Sequence, residues 1–186
     1  MLFPLVILAF CLLWTIASAR KPPTVYLIRH AEKPADKKDK RLSHKGEKRA
    51  QCLRTIFGVE SEYNIRYIIA PTVKKHGKHG RPFKTVHPLA KDLGVKVDTH
   101  CPHNSGACVA DAIRDYDGPG NILISWRHGT IPNIQWFLGS EYPLEYPKDR
   151  YDLIWTLPYP YDVITEVRSE NCPGIDIPSP GLVVQN

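Results

Sequence analysis

The sequence holds no Asn-x-Ser/Thr triplet, no Cys-x-x-Cys pair, no Gly-rich P-loop and no Gly-x-Ser-x-Gly elbow. N-linked glycosylation is therefore not expected, and zinc-site, nucleotide-cradling and serine-hydrolase readings lose their usual signatures. No aromatic pattern of an RNA-binding sheet is present, so no specific nucleic-acid partner is expected. There is no internal repeat and no Pro/Gly/Ser-rich linker, which favours one domain. Charge is missing altogether from the first 19 residues.

That uncharged start is almost wholly apolar from Leu2 to Trp14, and Ala17-Ser18-Ala19 has the small-x-small form of a cleavage site. The expectation is a signal peptide, residues 1–19, followed by a single secreted or lumenal domain, residues 20–186, with no membrane contact after cleavage. The rival is an uncleaved N-terminal anchor, at the short limit of the roughly 20 residues that span a bilayer. All 25 Lys and Arg lie from Arg20 onward, so the domain keeps the net charge of +6. A pI near 9.1 suits anionic partners, or merely a basic surface. Four cysteines remain after cleavage: Cys52, Cys101, Cys108 and Cys172. An even number in a secreted chain permits two disulfides in three pairings, with Cys101 and Cys108 the nearest pair. Buried free thiols and a zinc site are the alternatives.

Short apolar runs at Thr24–Ile28, Arg66–Ala70 and Asn121–Trp126 read as buried strands. Helices are expected from Ser43 to Phe57, Pro82 to Leu93, Cys108 to Tyr116 and Ile131 to Leu138, with later strands at Tyr151–Leu157 and Val163–Val167. The tail from Cys172 reads as irregular. Alternating strands and helices predict a three-layer α/β/α fold with a central, mostly parallel sheet. Ligands gather at the carboxyl ends of such strands. Here one strand ends in Arg29-His30, another in Arg127-His128, and the second leads into a basic loop closing with Arg81. Trp126, Trp136 and Trp155 are expected in the core.

Arginine offers a rigid fork for phosphate oxygens, and neutral imidazole offers a nucleophilic nitrogen that can leave again. One nucleophilic His, two Arg clamps and a second His form a kit for phosphoryl transfer that needs no metal or cofactor. Leu27-Ile-Arg-His-Ala-Glu32 resembles the Arg-His-Gly-Glu signature of the histidine phosphatase superfamily, the phosphoglycerate mutase-like proteins. Leu42-Ser43, Gly46 and Arg49-Ala50 resemble its "LS-x-x-G-x-x-RA" segment. Ala70-Pro71 with Arg81-Pro82-Phe83-Lys84-Thr85 resembles its "S-P-x-x-R-x-x-Q-T" region, with a longer basic insertion. Asn121–Trp126 with His128 resembles the strand carrying its second histidine. Arg81–Gly139 and Tyr151–Trp155 look like small fungal secreted members. The resemblance spans about Val25 to Val167. It implies that His30 attacks phosphorus, that Arg29 and Arg81 bind the phosphoryl oxygens, and that His128 binds the same group and stabilises the transition state. The partner would be a phosphorylated substrate or inorganic phosphate.

Two departures shape the expected activity. Ala31 stands where Gly is commonest, and Gly129 follows His128 where the acid-phosphatase branch has Asp. The leaving-group acid therefore has no motif to mark it. Asp98 and Asp111 are the candidates by region, and Glu32 is read as structural. The expectation is a phosphatase of phosphate monoesters or phosphoramidates, weak or specialised, with a phosphoryl- or polyanion-binding pseudoenzyme as the alternative and a phosphoglycerate mutase ranked below both. Lys74, Lys75 and Lys78 either enlarge a positive rim or solvate a loop. The stretch Lys33–Arg49, with eight basic and three acidic residues, leaves the same choice. His76, His79, His87, His100 and His103 show no metal-like spacing. The sequence assigns no oligomeric state.

Overall fold

The computed structural model describes residues 21–177 and 182–183. The expected signal peptide, and its rival the N-terminal anchor, fall on residues outside that set. Among the described residues no helix is long and apolar enough to cross a membrane. The chain runs β1 (Val25–Arg29), α1 (His44–Ile56), β2 (Ile65–Ile69), α2 (Arg81–Leu93), β3 (Val97–Asp98), α3 (Gly106–Arg114), β4 (Asn121–Trp126), α4 (Ile131–Leu138), β5 (Leu153–Leu157), β6 (Glu166–Ser169) and β7 (Leu182–Val183). The described strands form one sheet in the order β3-β2-β4-β1-β5-β6-β7. The first four strands are mutually parallel. β5 runs against β1, β6 against β5 and β7 against β6, so most strands still point one way.

The alternation of β1 accounts for the layers. Val25 and Leu27 enter a core shared with Val109 and Ile113 of α3 and Ile131 and Ile134 of α4. Ile28 enters the opposite core with Leu53 of α1 and Val86 and Leu89 of α2. A strand buried on both faces needs apolar residues at successive positions, as Val25–Ile28 supplies with Tyr26 half-buried. The α/β/α expectation therefore holds. Local chemistry ends the helices where the sequence punctuates them. The Ser43 hydroxyl accepts from the Gly46 amide at 3.1 Å, and Ser105 caps α3 through the Cys108 amide. Gly94 and Gly139 close α2 and α4 at φ +64° and +109°, a region that favours glycine.

Beyond shifts of one or two residues at the ends of elements such as β2, α3 and β5, the structure departs from the sequence reading in four places. β3 has only two residues and was not expected. β6 begins at Glu166 rather than Val163. Leu182–Val183 adds a strand beside β6 where an irregular tail was expected. Trp126 and Trp155 are buried, but Trp136 is 60% exposed. It sits on the outward face of α4, whose inward face is Ile131, Ile134, Gln135 and Leu138. Both disulfides close: Cys101 with Cys108, and Cys52 of α1 with Cys172 beyond β6.

Gly46 has a steric cause. A β-carbon there would lie 2.4 Å from the Glu32 carbonyl oxygen, which already accepts from the Ser43 amide. Helix α1 thus rests on the backbone two residues past His30. Gly46→Ala is expected to force this contact apart and to cost about 1–3 kcal/mol, the usual range for overpacking. A urea unfolding curve checks it; stability equal to the parent would contradict the stated cause.

Candidate functional site

His30 follows β1 directly, and His128 follows β4 by one residue beyond Arg127. The His30 amide donates to the Trp126 carbonyl at 2.8 Å, so the β1–β4 ladder carries past the strand and draws the two ends together. The next amide, Ala31, donates to the Thr85 hydroxyl at 2.8 Å, and that hydroxyl donates to the Arg81 carbonyl at 2.9 Å. Thr85 thereby ties the His30 turn to the first turn of α2. Arg29, His30, Arg81 and His128 all line one cleft of about 290 Å³, joined by Pro71, Lys33, Lys40, Lys78, His79, His103 and Arg127. Of Lys74, Lys75 and Lys78, only Lys78 is in that lining.

The His30 ring is buried, and its Nδ1 lies 2.7 Å from the Ala31 carbonyl oxygen. A carbonyl can only accept, so Nδ1 carries the proton and Nε2 keeps its lone pair. Burial, aided by the charges of Arg29 and Arg81, lowers the His30 pKa to about 4. The ring is therefore neutral near neutral pH. Burial and nearby Arg29 and Arg127 also push His128 below the ordinary histidine range. Its Nδ1 is buried with no hydrogen-bond partner among the described residues.

The two arginines are aimed by backbone oxygens. Arg29 Nη1 donates to the carbonyls of Lys148 and Arg150 at 2.8 and 2.7 Å. Its guanidinium carbon sits 3.7 Å over the Tyr151 ring, while Nε is buried without a partner. Arg81 donates from Nε to the Arg41 carbonyl and from Nη2 to the Asp39 carbonyl. These carbonyls fix each fork without neutralising it, so both guanidinium charges stay available to an anion.

Glu32 has the structural place expected of it. Its two oxygens accept from Nε and Nη2 of Arg49 at 3.0 and 2.8 Å. Arg49 is 1% exposed and also binds Glu170 at 2.5 Å and Asp176 at 2.6 Å. Three acidic side chains therefore surround one guanidinium, with Glu32 two residues past His30. Burial pushes the Glu170 carboxyl up to about 8 against the pull of Arg49. The Cys52–Cys172 bond closes beside this cluster, two residues from Glu170.

Neither regional candidate for the acid reaches the cleft. Asp98 accepts from the Tyr67 hydroxyl and the His100 amide, with the His100 ring also in contact. Asp111 is exposed and pairs with Arg114 on α3. Among the described residues no Asp or Glu lines the cleft. Sequence reasoning missed His79 and His103, whose rings stack at 3.6 Å between centroids within the same lining. They lie in loops far apart in sequence, so no local signal pairs them. Among the described residues two groups bring metal-ligand types together, His100-Cys101-Cys108 and Glu170-Cys172-Asp176. Both disulfides consume the sulfurs, which removes them as thiolate ligands.

No family model matches the chain, and no curated protein matches it in sequence. Its fold is similar to that of an Agrobacterium tumefaciens protein assigned as the phosphohistidine phosphatase SixA. The TM-score is 0.54 at 13% identity, covering 80% of this chain and 98% of that one. At this identity the likeness establishes a common fold.

Proposed function

We propose that the chain is a phosphatase that cleaves phosphate monoesters or phosphoramidates through a phosphohistidine at His30. The observation that carries this reading is a neutral, tautomer-fixed His30 in a cleft whose charged lining is wholly cationic. Nε2 attacks phosphorus, and Arg29, Arg81 and His128 take up the charge on the phosphoryl oxygens. Water then releases phosphate and restores the imidazole. The resemblance of the Arg29-His30, Arg49, Arg81 and His128 segments to the histidine phosphatase superfamily supports the same assignment, and the shared fold agrees with it. Secretion, with residues 1–19 as a cleaved signal, remains part of the proposal, and the two disulfides suit it.

The test is release of phosphate from an aryl phosphate in the presence of a chelator. Turnover should continue without added metal and stop with vanadate. Protein quenched in alkali should carry a phosphoryl group that mild acid removes. On the acid side kcat/KM should fall as pH drops through about 4, because His30 then gains a proton and loses its lone pair. Turnover that requires a divalent metal and ignores vanadate would sink the reading. A second reading, a phosphoryl-binding pseudoenzyme, draws on the absence of any Asp or Glu from the cleft lining. Tight phosphate binding with no turnover of aryl esters or phosphoramidates would decide for it.

A further inference from the structure

A departing alkoxide needs a proton, and the cleft offers no carboxylic acid to give one. Lysine and arginine hold their protons far above neutral pH. His30 is committed to attack and His128 to the phosphoryl group. That leaves His79 and His103, stacked at 3.6 Å with their planes 14° apart.

Their placement is built rather than incidental. The Trp126 indole donates to the His103 carbonyl at 2.9 Å, and the Trp126 carbonyl accepts from the His30 amide at 2.8 Å. One buried tryptophan thus joins the backbone of the nucleophile to that of His103. The Cys101–Cys108 bond brackets the same loop. The Thr72 amide and hydroxyl bind the carbonyls of Cys101 and Thr99, which fastens the loop after β2 to the loop after β3. His79 itself stands at φ +64°, a conformation that costs a side chain roughly 1–2 kcal/mol, between Gly77 and Gly80.

We infer that the His79–His103 pair is the proton donor to the leaving group, in the place of the missing carboxylic acid. This rests on the reading of His30 as nucleophile. In the first step His30 Nε2 bonds to phosphorus and the P–O ester bond breaks. The departing oxygen takes its electron pair and receives a proton from the imidazolium of the pair, which is left neutral. In the second step water attacks phosphohistidine, the P–N bond breaks, and the pair takes back the water's proton. Phosphate leaves and His30 is restored. The charges facing the pair are Lys74, Lys78 and Arg127, and each ring faces the other. With burial they lower both histidines, but His30 is displaced further, to about 4. The donor form of the pair is thus favoured as pH falls, on the acid side where His30, lowered to about 4, is still neutral.

The experiment compares 4-nitrophenyl phosphate, whose phenolate leaves unaided, with glycerol phosphate, whose alkoxide does not. His79→Gln, His103→Gln and the double variant are assayed with the parent. On the alkyl ester each single change is expected to cost about 10²-fold or more in kcat/KM, which reports the first step alone and not the dephosphorylation that both esters share, with the double variant little worse because the rings act as one unit. The loss on the aryl ester should be much smaller, and that residual turnover also reports that the chain is folded. In the parent, kcat/KM for the alkyl ester should fall as pH rises through the pair's titration, with no such limb for the aryl ester. Equal losses on both esters, an unaffected alkyl rate in the double variant, or parent profiles that coincide would each overturn the assignment. If the parent turns over neither ester, the phosphatase reading falls and takes this one with it. If the parent turns over both and only the leaving-group contrast is missing, the pair alone is refuted.

Discussion

Replacing His30 by alanine is expected to lower kcat on an aryl phosphate by on the order of 10⁴- to 10⁶-fold, the scale of losing a covalent nucleophile. Inorganic phosphate should still bind, because Arg29 and Arg81 are set by contacts that do not use the His30 ring. Arg29 hangs from the 148–150 carbonyls and Arg81 from those of Asp39 and Arg41. The truncated side chain lines an open cleft, so water can fill the space and no sealed void results. Single-turnover kinetics and phosphate titration calorimetry measure the two halves of this expectation. A variant that retains a tenth of parental turnover would remove His30 from the chemistry.

Replacing Arg49 by leucine should be the most damaging single change to stability. Arg49 is almost completely buried and faces Glu32, Glu170 and Asp176. Removing the buried guanidinium leaves Glu170 and Asp176 without their counter-charge in a low-dielectric setting, which costs about 3–5 kcal/mol. Glu32, two residues from His30, would keep only the Lys45 contact at 3.7 Å, so turnover of the folded fraction should fall as well. Arg49→Lys keeps the charge but loses the fork that serves three partners, and should recover only part of the stability. Urea unfolding at neutral pH measures the first effect. A loss below about 1 kcal/mol, the scale of a surface ion pair, would contradict this account of the cluster.

The legible part of the molecule was what local chemistry writes into neighbouring residues. Ser43 announces its helix because its hydroxyl must find an amide three residues on. Thr24–Ile28 and Asn121–Trp126 announce buried strands because both faces need apolar cover. The Arg-His pair at each strand end places the candidate phosphoryl groups once the sheet is known to be parallel there. The rest depends on partners that the chain meets only after folding. Nothing near Arg49 indicates that Glu170 and Asp176 will share it, nor does Cys52 point to Cys172. β3 and β7 are two-residue strands, too short to set a period, and exist because a neighbouring edge accepts them. Trp136 is hydrophobic enough to suggest burial, but its position around α4 decides otherwise. His79 and His103 were unremarkable in sequence because stacking has no spacing rule across separate loops.

The position of β1 at the middle of the sheet sets the order in which the chain can acquire its chemistry. β1 comes early from the ribosome, yet its two neighbours are β4 and β5, with Val25 opposite Ile122 on one side and Leu157 on the other. Arg29 takes its anchoring carbonyls from residues 148 and 150, and the His30 amide takes its partner from Trp126. Such contacts span most of the chain and are slow to form. A nascent chain therefore displays the Arg-His dipeptide long before it can use it. During synthesis His30 is an ordinary exposed histidine, and it becomes a desolvated imidazole only when the last third of the polypeptide closes over it.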